Sequence, residues 1–194
     1  MHSVPYAKET LVMLVGYALG CFTSGYYLVR WRTGEDIRWL GSGSVGATNV
    51  GRVLGRPGFF LTVLCDFFKG LFAVWLAGYF RLNPTGAVLT MVAVAIGHIW
   101  PAQLWFHGGK GVATSLGALL MFDYSIAFTF AALFLVVCAA LRSFVLAGLV
   151  AFALTPLALF AADYSLTSVF GVPDEIHKLM TGRKLKSDKR AVPK

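Results

Sequence analysis

Long apolar runs, separated by short polar segments, dominate this chain, and their lengths decide what they form. A helix rises 1.5 Å per residue, so about 20 apolar residues span the hydrocarbon core of a bilayer. Residues 11–29 form the first such run, after Lys8 and Glu9 and before Arg30 and Arg32. It is too long and too weakly flanked by charge to be a cleavable signal. Residues 57–80 form the second, opening on Pro57, a residue suited to the first turn of a helix. Residues 85–106 form the third, entered through Asn83 and Pro84 and interrupted at Pro101. Residues 112–141 are apolar except at Asp123, and as one helix they would overshoot the hydrocarbon by half. The run is therefore divided at Phe122, Asp123 and Tyr124 into a short helix, 112–122, and a fuller one, 125–141. Arg142 and Ser143 then turn the chain into a last span over 144–162. The expected fold is all-α: a polytopic integral membrane helix bundle of about six spans. Residues 1–194 make one membrane domain, in which 164–194 are a basic tail.

Composition agrees with that reading. Of 194 residues 57% are hydrophobic and 13% charged, at a mean hydropathy of +0.70, against about 25% charged in ordinary soluble domains. The net charge of +8 sits at span ends and in the tail, where membrane lipid with anionic headgroups is the natural partner and nucleic acid is not. Cys21, Cys65 and Cys138 fall in apolar stretches without the spacing of a zinc site or a disulfide framework, and read as inert thiols.

Arginine bias orients the chain. Arg30, Arg32, Arg38, Arg52 and Arg56, against Glu35 and Asp36, place the loop after the first span in the cytoplasm. Alternation then puts Arg81 and Asp123 outside, and residues 107–111 and Arg142 inside. Six crossings would leave the basic tail outside, so either 112–141 crosses once, or residues 164–173 re-enter, or the bias fails there.

Two polar loops carry the chemistry. The first contains Gly41, Ser42, Gly43, Ser44, Gly46, Thr48, Asn49, Gly51 and Arg52. Its glycines let consecutive amides approach an anion, its hydroxyls and amide add donors, and Arg52 adds a planar fork suited to phosphate. A flexible turn is the competing reading, and no lysine with serine or threonine follows as in a Walker loop. The second loop runs through Phe106, His107, Gly108, Gly109, Lys110 and Gly111 into a helix, placing bare amides and the positive helix end beside an ammonium group. An anion is the natural occupant, the alternative being a capping turn with a snorkelling lysine. His98 and His107 lack acidic or cysteine partners at ligand spacing, so neither is read as a metal ligand. A structural or substrate-orienting histidine fits better.

Asp66 and Lys69 lie three residues apart, on one face of the second span. A lone charge at mid-membrane costs roughly 2.5 to 3.5 kcal/mol, so each must pair or face a polar cavity. Neutralising one another is the simplest role, and supporting the loops from behind is the other.

The glycine loop through Arg52, the run Asp66-Phe67-Phe68-Lys69-Gly70, and Gly97-His98 through Pro101 to Gly108-Gly109-Lys110-Gly111-Val112-Ala113-Thr114 resemble the signature segments of the bacterial acyl-phosphate:glycerol-3-phosphate acyltransferases, the PlsY family. The resemblance covers roughly residues 10–162. It implies transfer of a fatty acyl group from acyl phosphate to the 1-hydroxyl of glycerol 3-phosphate, without a cofactor or metal. The products are 1-acylglycerol 3-phosphate and phosphate, in phospholipid biosynthesis. It further implies that Ser42, Arg52 and Lys110 hold the phosphate groups and that the Gly108, Gly109 and Gly111 amides stabilise the leaving phosphate. Asn49 shapes the first loop, Gly43, His98 and Thr114 belong to the substrate site, and Asp66 and Lys69 support it. Ser44 stands where the family usually carries asparagine. The family has a seventh span leading to a C-terminal motif; here Val172 and Glu175 fall where its histidine and asparagine would be, with about one span of chain missing before them. A non-catalytic relative that binds acyl phosphate or lysophospholipid, and a small anion transporter, are the competing functions.

Overall fold

A computed structural model describes residues 7–161. Among them lie seven α-helices: α1 (Ala7–Cys21), α2 (Ser24–Thr33), α3 (Ala47–Tyr79), α4 (Pro84–Ile99), α5 (Val112–Phe122), α6 (Tyr124–Leu141) and α7 (Phe144–Ala161). Short 3-10 turns, Ile37–Trp39 and Ala102–Leu104, lie in the loops after α2 and α4. Four stretches are long and apolar enough to cross a membrane: Ala7–Thr33, Ala47–Tyr79, Pro84–Leu104 and Tyr124–Leu141. Val112–Phe122 and Phe144–Phe160 are shorter apolar helices.

The division of the long fourth run falls where expected. Asp123 is extended, at φ −156° and ψ 115°, and its carboxylate accepts from the amides of Ser125 at 2.7 Å and Ile126 at 3.2 Å, which starts α6. Arg142 takes a left-handed conformation at φ 50° and turns the chain into α7.

Two boundaries differ from the sequence reading. The first run is not one helix, because the chain breaks at Phe22 and Thr23 between α1 and α2. The carbonyls exposed by the break are met from other elements: Lys69 Nζ lies 3.2 Å from Gly20 O and 2.8 Å from Phe22 O, and the Gln103 amide donates to Cys21 O. The second helix starts earlier than expected, at Ala47, so Thr48, Asn49 and Arg52 are helical rather than part of a loop. Gly55, at φ 73° and ψ −169°, interrupts α3 just before Pro57 and re-aims the chain into the span.

Close helix crossings hold the bundle together. A Cβ on Gly70 of α3 would fall on the Thr114 carbonyl of α5, and one on Gly117 of α5 would fall on the Phe67 carbonyl of α3. Gly20 of α1 and Gly97 of α4 meet in the same reciprocal way. Lipid supplies no hydrophobic drive between helices, so backbones brought together by small residues gain their attraction from dispersion. The outer surface is apolar, with Phe128, Leu135, Val136, Leu157 and Phe160 exposed, while Ser24, Thr62, Asp66, Lys69, Thr90 and His98 are buried. Such a surface is intolerable in water and natural in lipid.

Candidate active site

The first loop is built around one side chain. The Asn49 amide, buried at the start of α3, accepts from Ser42 N at 2.9 Å and donates to Leu40 O at 2.9 Å and Ser44 O at 3.0 Å. These bonds pull residues 40–44 into a tight coil over the helix N-terminus. Ahead of it, Asp36 caps the turn Ile37–Trp39 and pairs with Arg38 at 2.6 Å. The hydrogen bond from Arg38 holds the Asp36 carboxyl below its ordinary range and pushes the guanidinium above its own. Arg38 Nη1 also donates to Leu104 O at 3.1 Å, which ties this loop to the second one.

The second loop is built from backbone. Phe106 N donates to Pro101 O at 3.0 Å, His107 N to Leu104 O at 3.2 Å, Gly108 N to Ile99 O at 3.1 Å and Gly109 N to His98 O at 3.0 Å. These bonds hold Trp105 and Phe106 in the left-handed region, at φ 55° and 62°, as the chain folds back on the end of α4. Gly111, at φ 77°, then opens α5, whose first amides have no partner within the helix.

A buried polar cluster lies under both loops. The Asp66 carboxylate accepts from Lys69 at 2.9 Å and from Ser24 Oγ at 3.1 Å, and Lys69 Nζ lies 2.8 Å from His98 Nδ1. Neutralised in this way, Asp66 can face an anion site without repelling its occupant.

These parts close around a cavity of about 410 Å³. Ser42, Ser44, Thr48, Asn49 and Arg52 line it from the first loop and α3, Lys110 and Gly111 from the second loop, and Asp66 and His98 from below. Val63, Val112, Phe144, Val145 and Leu146 form its apolar wall. Both sequence-predicted loops thus serve one site.

Several residues expected at the site stand elsewhere. The Gly108 and Gly109 amides, expected to face the phosphate, donate to the carbonyls of Ile99 and His98, and the first turn of α5 beside them is the nearer set of amides without helix partners. Gly43 donates to Leu40 O at 3.0 Å and forms the turn beside the cavity. Thr114 is fully buried where α3 crosses α5. Lys69, expected as a support and not as a contact, lies behind Asp66 and His98. His107 is exposed, with Nδ1 2.6 Å from Trp105 O, and the described residues hold no cluster of three or more potential metal ligands. The C-terminal motif lies outside the described residues.

Arg142 and Ser143, read in the sequence only as a turn, line the cavity and bring its cations to three with Arg52 and Lys110. The signal that points to them is parity: alternation already placed Arg142 on the side of the two loops.

Comparison with known proteins finds relatives over most of the chain. Residues 10–182 match the profile of the family described as glycerol-3-phosphate acyltransferase. A Desulfitobacterium hafniense (strain Y51) protein named glycerol-3-phosphate acyltransferase 1 is 50% identical over 143 residues, 73% of this chain and 70% of its own. The like-named protein of Bacillus anthracis is 38% identical over 162 residues, 84% of this chain and 86% of its own. The crystal structure of PlsY (YgiH), an integral membrane glycerol 3-phosphate acyltransferase, superposes in its glycerol 3-phosphate form with a TM-score of 0.74 at 32% identity, over 92% of this chain and 94% of that one. Its lysophosphatidic acid form gives 0.72 at 29% identity over the same shares.

Proposed function

The chain belongs to the glycerol-3-phosphate acyltransferase family and is an integral membrane acyltransferase, and from that premise we propose how its cavity works: it transfers a fatty acyl group from acyl phosphate to the 1-hydroxyl of glycerol 3-phosphate. The observation that carries this reading is that one cavity joins three cationic side chains to an apolar wall. Both substrates carry phosphate, and one also carries a long apolar chain.

Acyl phosphate is a mixed anhydride with a good leaving group, so positioning and charge stabilisation suffice. The acceptor hydroxyl oxygen attacks the acyl carbonyl carbon, the bond from that carbon to the phosphate oxygen breaks, and phosphate leaves with the electron pair. The hydroxyl proton passes to a phosphate oxygen of a substrate. Arg52, Lys110 and Ser42 hold phosphate oxygens, joined by Arg142 and Ser143, and the first turn of α5 stabilises the charge that grows on the departing phosphate. Asn49 keeps Ser42 in place. The acyl chain lies along Phe144, Val145 and Leu146. The site faces the cytoplasm across the bacterial inner membrane, as the arginines of the first loop indicate.

Purified protein given acyl phosphate and radiolabelled glycerol 3-phosphate should form acylglycerol phosphate, and acyl-CoA should support little turnover. Transfer from acyl-CoA with none from acyl phosphate would overturn the donor assignment. Single cysteines at Ser44→Cys and His107→Cys, in a background without the native thiols, should both resist an impermeant maleimide in intact cells. Labelling of both would put the loops on the outer face, and labelling of one alone would overturn the shared site.

A further inference from the structure

The transfer as described gives no role to the buried cluster of Ser24, Asp66, Lys69 and His98, in which Lys69 touches both Asp66 and His98. The Lys69 ammonium group lies 2.9 Å from Asp66 Oδ1, 2.8 Å from Phe22 O, 3.2 Å from Gly20 O and 2.8 Å from His98 Nδ1. The first three are acceptors only, and an ammonium group is a donor only. An Nδ1–H on His98 would therefore meet another donor head on. Beside a charged lysine the favoured ring accepts at Nδ1 and carries its proton on Nε2. That nitrogen points at the second loop, because a Cβ on Gly109 would strike it, and His98 lines the cavity.

Without Lys69 the preference reverses. Asp66 Oδ1 is 3.6 Å from His98 Nδ1, and a slight approach would make a carboxylate–imidazole pair. The proton would then move to Nδ1, and Nε2 would face the cavity as a lone pair, repelling phosphate oxygens and able to act as a base. Within 3 Å of both groups, the ammonium competes with the ring for Asp66 and with Asp66 for Nδ1.

We propose that Lys69 is a positioning residue that locks His98 as the Nε2–H tautomer, making the imidazole a fixed hydrogen-bond donor to substrate phosphate and not a base. The contact with phosphate rests on the acyltransferase reading above, whereas the tautomer does not. The lock explains how an aspartate and a histidine can share this site while the acceptor proton still goes to a substrate oxygen.

The test uses full-length protein with 15N-labelled histidine, the His98 signals being those lost in His98→Gln among the four histidines. The wild-type spectrum should show protonated Nε2 and bare Nδ1, and inorganic phosphate should shift the Nε2 signal. In Lys69→Met the single tautomer should be lost, and KM for at least one phosphate substrate should rise roughly tenfold or more, with a smaller change in kcat. His98→Gln, whose amide N–H reaches the Nε2 position, should keep far more activity than His98→Asn. Adding Lys69→Met to His98→Gln should raise KM by less than the same change does with His98 present, since the share of the lysine's effect that passes through the ring is then already lost.

A wild-type His98 protonated on Nδ1 overturns the proposal, as does a tautomer unchanged in Lys69→Met. Equal loss in the glutamine and asparagine variants overturns the donor role. Should Lys69→Met fail to fold, the wild-type spectrum and the His98 pair still decide. If the wild-type protein transfers no acyl group, the functional reading fails, while the spectrum and the phosphate titration still judge the lock.

Discussion

The two loops reach the same cavity by opposite means. The first depends on one buried side chain, Asn49, whose three hydrogen bonds shape residues 40–44. The second depends on backbone, with Gly108 and Gly109 strapped to the last carbonyls of α4 and the His98 ring directly beneath. A loop held by a side chain is sensitive to what that side chain can donate and accept. A loop held by its main chain is sensitive to any added Cβ. Substitutions that distinguish these kinds of sensitivity test whether the contrast is real.

The largest effect is expected at Gly109→Ala. Its methyl group would overlap the His98 ring, which is buried and hydrogen-bonded to Lys69 and cannot easily retreat. Acyl transfer should fall by about a hundredfold or more, or the extractable protein should disappear, because overpacking and broken polar contacts add. Normal activity and yield would mean that the second loop is not seated on the ring.

Next come the charges that both loops present. Removal of a cation that holds substrate phosphate in a partly desolvated site costs roughly 2 to 5 kcal/mol, a loss of at least about thirtyfold in kcat/KM. Lys110→Ala and Arg52→Ala should each show this while the protein inserts and purifies normally. Arg52→Lys should also be impaired, because a point charge cannot replace a bidentate fork. Near-normal rates in both alanine variants would remove the phosphate site from these loops.

Asn49→Ala should have a smaller effect, expressed in the first loop alone. It leaves the Ser42 amide and the Ser44 carbonyl without their side-chain partner and Leu40 O with only the Gly43 amide, which is worth about 1 to 3 kcal/mol of stability if water cannot replace it. Thermal unfolding in detergent should shift down, and KM should rise more than kcat falls. Asn49→Asp should not restore function, since it retains the acceptor but loses both donors.

The Asp36–Arg38 pair should contribute least. Because Arg38 lowers the folded-state pKa of Asp36, the pair's stabilisation is fully present above the ordinary carboxylate value near 3.9 and fades as pH falls through the lower folded value. The pair is partly solvent-exposed, so the effect should stay below about 1 kcal/mol. Melting curves of wild type and Asp36→Asn should converge toward acidic pH and separate only slightly at neutrality. A gap that widens on acidification would reverse the sign. As a matched control, Lys8→Ala, on the exposed start of α1, should leave acyl transfer within about twofold.

Residues 7–161 show where local information suffices. The sequence alone determined the membrane class, the division of residues 112–141 at Asp123 and the turn at Arg142, because span length and helix capping involve only neighbours in the chain. It also singled out Ser42, Asn49, Arg52 and Lys110, since glycine with donors and cations is a composition that can be read without coordinates. The break between α1 and α2 is different, because its carbonyls are met by Lys69 and Gln103, which lie far along the chain. Only the tertiary structure placed Arg142 and Ser143 at the cavity, moved Thr114 into a helix crossing, and engaged the Gly108 and Gly109 amides with α4. The reciprocal glycine crossings, Gly70 with Gly117 and Gly20 with Gly97, set how closely and in what register the helices meet. In lipid that choice rests on shape and hydrogen bonding between segments far apart in sequence, and no pattern within a single segment encodes it.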